Sequence, residues 1–427
     1  MGGLVTSHGV GMAVPDWPTS YGYNMFALPV SMWLTGGVFH EHTHRLWASA
    51  VGVLVVALTR WLGGRKACVP LLLVGLVEIV SGVVLLKLGP DWKGVGHFLS
   101  GIGGVVLMGG LVCMPAVNLD PFAKAMRARW AWLNRVPWEI IVRFAKAIGA
   151  RINNAPATKP LPTLGWVAFV LVQLQGLLGG LRVVLDARIV ADVRLGTAFG
   201  IVHGCLGQAF LVLLCVIALF TSRWWRERKT VLGTDTARVE PALGRLFVVA
   251  TILIFLQLMI GATMRHQHAG LAIPDFPLAY GKVWPDTGAD AVARYNQQRV
   301  EIIAANVITP FQIWLQMIHR LVAVGIFAGV AAVFWATRRL NSTVHLRRLA
   351  VAWIGLILVQ VGLGAWTIWS NKAADVATAH VLVGALSLVT GVFGCIIYFG
   401  FTGAIEAQSV PKSTGTYAHR TPVAANP

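Results

Sequence analysis

Nine apolar stretches alternate with short polar connections along the chain, at residues 36–62, 68–88, 96–118, 163–181, 198–221, 245–263, 312–336, 349–369 and 379–402. Each is long enough to cross a hydrocarbon core of about 30 Å as a helix. Because a helix satisfies its own backbone hydrogen bonds in lipid, the pattern predicts an all-α polytopic membrane protein.

The pattern is also doubled. GMAVPDWPTSYG at residues 11–22 returns as GLAIPDFPLAYG at 270–281, an offset of 259, and each copy precedes an apolar helix carrying His-Arg: His44-Arg45, then His319-Arg320. QGLLGG from Gln175 is echoed by QVGLGA from Gln360, and each echo is followed by a helix with a histidine near its start, His203 and then His380. Two tandem, pseudo-symmetric four-helix-bundle modules are therefore expected. Subtracting one from the other leaves two differences. At an offset of 259, Met1 aligns with Ile260, so the apolar run Leu246–Ile260 that opens the second module has no counterpart in the first. A truncated or misplaced start is the expected cause. His44 and His203 are 159 residues apart against 61 for His319 and His380, which implies an insertion of roughly 98 residues. It adds two spans, an even number that preserves the later topology. The expected segments are 1–64 (first part of module one), 65–162 (insertion, with a basic stretch and the linker-like INNAPATKPLPT), 163–222 (second part of module one), 223–244 (cytoplasmic linker), 245–402 (module two) and 403–427 (polar tail).

Composition agrees: 56% hydrophobic and 12% charged residues are far from the quarter charged that soluble domains carry. A net charge of +18 invites a nucleic-acid reading, but 23 of the 35 Lys and Arg fall in the connections 60–67, 119–162, 223–245 and 337–348 and in the tail, while residues 1–35 hold none. That distribution places those connections on the cytoplasmic side and the PDWP and PDFP loops outside. Clusters such as RWWRERK at 223–229 read as anchors to the lipid bilayer, and no nucleic-acid partner is expected. Cysteines 68, 113, 205, 215 and 395 lie in or beside spans, so no structural disulfide is expected.

Polar residues inside spans are costly and mark function. His44, His203, His319 and His380 each lie near the start of a helix running inward, hence at similar depth, and two pairs at one level suit two bis-histidine haems. The alternative, core histidines bonded to backbone carbonyls, is weakened by their matched repeat positions. Arg45 and Arg320 read equally as partners of haem propionates and as interfacial anchors. Glu41 stands one turn before His44, whereas the matching residue before His319 is Gln316. A carboxylate at one site alone suggests one reactive site and one that handles electrons. His40-Glu41-His42-Thr43-His44 also matches the zinc-protease motif HExxH, although Leu315 replaces His40 in the second copy. His8, His40, His42, His97, His266 and His268 read as solvated or interfacial, and Trp17 and Phe276 as apolar covers over the outer ends of the bundles.

GLVTSHGVGMAVPDWP, EHTHRL, QGLLGGLRV, HGCLGQ, IHRLVA and AHVLVGAL resemble, in order, the signature segments of the haem A synthases, the CtaA/Cox15 family. The resemblance implies an eight-helix enzyme of two four-helix halves that oxidises the C8 methyl of haem O to the formyl group of haem A by successive hydroxylation, for cytochrome c oxidase assembly. It implies haem O as substrate between His44 and His203, haem B as cofactor ligated by His319 and His380, and Glu41 as the catalytic carboxylate. Haem O synthase, the cytochrome c oxidase assembly machinery, an unidentified redox partner and a second copy of the chain follow as partners, and the bacterial cytoplasmic (inner) membrane as location. The chain lacks the cysteine pair that some members carry in the first outer loop, and the two-span insertion is foreign to the pattern. A di-haem b-type electron-transfer cytochrome, a haem-binding assembly factor without conversion and an intramembrane zinc protease stand as alternatives.

Overall fold

The computed structural model describes residues 1–89, 92–111, 160–190, 193–232, 240–298, 307–340 and 342–409. The basic stretch and linker of the insertion, Cys113 and most of the polar tail lie outside them. The chain is an all-α membrane protein. Its helices are α1 (Gly2–Ser7), α2 (Val30–Trp33), α3 (Gly36–Gly63), α4 (Cys68–Leu88), α5 (Lys93–Leu111), α6 (Pro160–Val184), α7 (Leu195–Thr221), α8 (Arg223–Leu232), α9 (Pro241–His266), α10 (Ala289–Gln297), α11 (Pro310–Arg339), α12 (Val344–Trp369) and α13 (Ala374–Ser409). A two-residue hairpin, β1 (Ile189–Val190) with β2 (Val193–Arg194), interrupts the α6–α7 connection. Among the described residues eight apolar helical runs are long enough to cross a membrane, and the longest, Gly36–Leu88, is two helices. Gly64 divides it at φ +56°, a conformation that costs a residue with a Cβ more than it costs glycine. Each of the nine expected spans falls on a helix over its described residues, and residues 112–118 of the third lie outside them.

Local chemistry explains where the long helices begin. Thr309 and Gln312 form a reciprocal capping box before α11, with Pro310 at the position where a missing N–H costs nothing. The Thr343 hydroxyl accepts the Leu346 N–H to start α12. Leu54, Val77, Val324, Val351 and Leu382 point outward, a surface that lipid solvates and water would not.

In the second half, α9, α11, α12 and α13 pack in a ring, each against two others. Phe247, Val330, Val333, Trp353 and Leu388 fill it, with Phe247 stacked on Trp353 at 5.8 Å and the Trp353 indole donating to Ser387 O at 2.9 Å. In the first half, α6 lies between α3 and α7, and α7 also packs on α9 and α13, joining the halves. The short α1 lies against α3 and α13. At the repeat offset it matches the last turn of α9, so part of the wall expected to be missing is supplied by Gly2–Ser7.

The insertion is a tight antiparallel pair, α4 with α5, on the flank of α3 and α6. Gly75 and Gly82 on α4 meet Gly103 and Gly96 on α5, seven residues apart on each helix, and Gly110 of α5 packs on Leu72. A Cβ on Gly75 would stand 2.5 Å from Leu107 N and 2.8 Å from Gly103 O, so the backbones touch directly. Gly75→Leu is expected to destabilise the protein by about 1–3 kcal/mol through overpacking, read as a lower unfolding midpoint in detergent. Gly101→Leu on the same pair should leave the midpoint unchanged, because nothing lies within 4 Å of that position.

Candidate functional site

Both Pro-Asp loops fold back on themselves in the same way. Asp16 accepts the Tyr21 N–H at 2.6 Å and the Gly22 N–H at 2.8 Å, and Asp275 accepts from Tyr280 at 2.7 Å and Gly281 at 2.8 Å. Burial alone would raise the Asp16 carboxyl, but hydrogen bonds from the Thr19 side chain and these N–H groups outweigh it and leave it below the ordinary range. Tyr21 and Tyr280 donate their hydroxyls to Ala13 O and Ala272 O. Trp17 lies on Phe98 at 5.0 Å between ring centres and fills the space over Gly180. Phe276 meets Trp369 at 6.2 Å. Each aromatic residue packs against helix ends, as its place between prolines suggested.

The helices that follow hold the loops down. Glu41, 4% exposed, accepts the Val14 N–H at 2.9 Å, and Gln316, 2% exposed, accepts the corresponding Ile273 N–H at 2.7 Å. Arg45 donates to Asp16 O at 2.6 Å, Thr19 O at 3.0 Å and Val14 O at 2.9 Å, and pairs with Glu41 Oε1 at 2.7 Å. Arg320 donates to Leu278 O at 2.8 Å and Asp275 O at 2.7 Å, with its guanidinium 5.5 Å from the centre of the Phe276 ring. Both arginines are engaged with loop carbonyls, and among the described residues only the first also forms an ion pair with a carboxylate.

Below each loop, about two turns into their helices, two histidines face each other. His44 on α3 and His203 on α7 have ring centres 6.5 Å apart at 84°, and His319 on α11 and His380 on α13 are 6.4 Å apart at 56°. A metal bonded to both rings at roughly 2 Å places their centres about 6 Å apart, so both pairs are spaced for one iron between them. Each ring rests on a glycine. A Cβ would stand 3.3 Å from His44 Cε1 at Gly2, 3.2 Å from His203 Cε1 at Gly179, 3.4 Å from His319 Cε1 at Gly261 and 3.2 Å from His380 Cε1 at Gly364.

Glutamines complete the setting. Gln175 donates to His203 O at 3.1 Å, while its own carbonyl lies 3.2 Å from His203 Nδ1. Gln257 donates to His319 O at 2.9 Å, and Gln360 Nε2 lies 3.4 Å from His380 Nε2. In the second site His319 Nδ1, His380 Nδ1, Gln257 Oε1 and Gln360 Oε1 are buried without a hydrogen-bond partner. Polar atoms buried without partners are costly, and the two imidazoles among them are the nitrogen donors that a haem iron takes as axial ligands. Among the described residues no group of three or more His, Cys, Asp and Glu side chains can share a metal ion, as a zinc protease would require. Gly364→Val is expected to push His380 off line and weaken haem retention in the second site about tenfold, read as haem per chain after purification.

The repeat carries two of these glutamine–glycine pairs. Gln175 and Gly179 stand four residues apart, as do Gln360 and Gly364, so each pair shares a helix face. Two histidine readings need correction. His42 is buried, bonded through Nδ1 to Ser20 Oγ at 3.2 Å and edge-on to Trp33, because α2 and the loop close over it. His266 is half-buried against Gly200 of α7, where the two halves meet.

Comparison with known proteins follows the same lines. A family model described as "Cytochrome oxidase assembly protein", COX15-CtaA, matches residues 122–392. The chain belongs to the COX15-CtaA family. The match contains His203, His319 and His380, whereas Glu41 and His44 precede it, so their place in the site rests on the repeat and on the geometry. This COX15-CtaA protein is 30% identical over 146 residues to a "Heme A synthase" of Shewanella oneidensis, 34% of this chain and 41% of that one. It is 27% identical over 244 residues to a "Heme A synthase" of Staphylococcus aureus, 56% of this chain and 66% of that one. The aligned segments thus span less than two thirds of either relative.

Proposed function

We propose that the chain is a haem A synthase, which oxidises the C8 methyl of haem O to a formyl group by successive hydroxylation. The observation that carries this reading is the pair of facing-histidine sites, equal in spacing but unequal in charge, one with the Glu41–Arg45 pair and the other with Gln316. Names of the aligned relatives and of the family support it.

In this reading His44 and His203 hold the substrate haem. Glu41, flanked by Arg45, stands one turn from His44 as an acceptor or carrier of protons. His319 and His380 hold haem B, which when bound supplies a one-electron couple. Gln175, Gln257 and Gln360 orient the helix turns that carry the ligands, and the glycines leave room for the rings. The apolar spans keep water from both sites. Haem O arrives from the synthase that makes it and the product goes to cytochrome c oxidase assembly, in the cytoplasmic membrane of a bacterium. The test is to express the full chain with a source of haem O and to separate extracted pigments by chromatography. Haem A or its hydroxylated precursor is expected. Haem O recovered unchanged, from membranes holding the folded chain, overturns the reading in favour of a di-haem carrier.

A further inference from the structure

Three basic side chains gather one helical step toward the loops from the His44–His203 pair. Arg182 follows Gly179, the glycine under His203, by three residues on α6. His266 covers Gly200, three residues before His203 on α7. Arg265 donates to Gly3 O and Ser7 Oγ on α1, beside the Gly2 that touches His44. The guanidinium of Arg182 sits in a notch over Gly11, where a Cβ would stand 2.6 Å from Nη2, and among the described residues it makes no hydrogen bond. Arg182 lies within electrostatic reach of His44, His203, Arg265 and His266. Of the carboxylates, Glu41 and Asp186 reach it, and Glu41 is already paired with Arg45.

The two half-buried guanidiniums, Arg182 and Arg265, lie close enough to repel, and an anion between them would relieve the repulsion. Nor does the repeat account for them: Thr367 stands where the second module would have Arg182, and Thr6 where the first would have Arg265. The cationic group is thus peculiar to the first site and to its seam with the second half.

We propose that Arg182 and Arg265, with His266 as a further donor, form the carboxylate-binding subsite for the haem held by His44 and His203. This rests on the reading of that pair as the substrate site and deepens it. The two propionates of a haem leave one edge of the ring, and the C8 methyl shares its pyrrole with one of them. Clamping the propionates over α6 and α9 therefore fixes the pyrrole that reacts beside Arg182, whose nearest acidic neighbours include Glu41. Arg45 and Arg320, engaged with loop carbonyls, are left as loop anchors.

The experiment is a spectral titration of the purified full chain, with haem B already in the second site, using haem O and haem O dimethyl ester as probes. The native chain is expected to bind the free acid at least tenfold more tightly than the ester, as charge-assisted pairs to two carboxylates require. Arg182→Gln and Arg265→Gln should bind both forms alike, near the affinity of the ester, whereas Arg182→Lys should keep most of the preference. Retention of haem B in each variant reports that the chain has folded. An acid-over-ester preference that survives in both Gln variants overturns the proposal while the substrate-site reading stands. If the native chain binds neither form, or binds them as well after His44→Ala, that reading falls and the proposal with it.

Discussion

Glu41→Gln is expected to lower conversion of haem O about 100-fold while leaving the fold and both haems in place. The protein contains its own control for this substitution. Gln316 occupies the equivalent place in the second half and pins its loop by accepting the Ile273 N–H at 2.7 Å, so an amide at position 41 can accept the Val14 N–H in the same manner. What the amide cannot supply is charge opposite Arg45 at 2.7 Å or a site for a proton. The variant therefore separates two roles that the native residue combines, holding the loop and taking part in chemistry. Pigment analysis measures conversion, and thermal unfolding in detergent checks that the loop is held. Unchanged conversion would reduce Glu41 to a loop pin, and a fall in stability with a parallel fall in conversion would do the same.

The second large effect is expected at His380. His380→Ala should abolish haem in the second site and, with it, net conversion in the first, because electrons then have no resident carrier. His319 would face an apolar stub where its partner stood 6.4 Å away, and the buried Gln257 and Gln360 oxygens would gain no compensating contact. Haem per chain, measured as the pyridine complex, should fall by one equivalent. His203→Ala should have the complementary phenotype, a retained second-site haem with loss of haem O binding. Full haem content in His380→Ala would show that the facing pair is not a ligand set.

Much of this architecture is readable from the residues because the forces behind it are local. Each span is a predominantly apolar run, and in lipid such a run has no choice but helix. The four histidines stand out because lipid makes them expensive. Gly2, Gly179, Gly261 and Gly364 were not readable in that way, since a glycine in an apolar helix acquires meaning only from the ring that packs on it. Arg182 lies near the end of a span, where arginines are commonplace. Its role depends on Arg265, 83 residues later in the chain, and on α7 bringing the two halves together. The burial of His42 is hidden from the sequence for a related reason, since it comes from α2 and the loop rather than from its own helix.

Arg45 and Arg320 are each joined by a single peptide bond to a histidine that faces the centre of its site. One residue grips the backbone of the outer loop and the next presents its ring to the metal position. Loop and ring are thus fastened to adjacent residues of one helix. Each site therefore sits one residue away from its loop, and the electronic spectrum of a bound haem is expected to report substitutions that release the loop, such as Arg320→Ala.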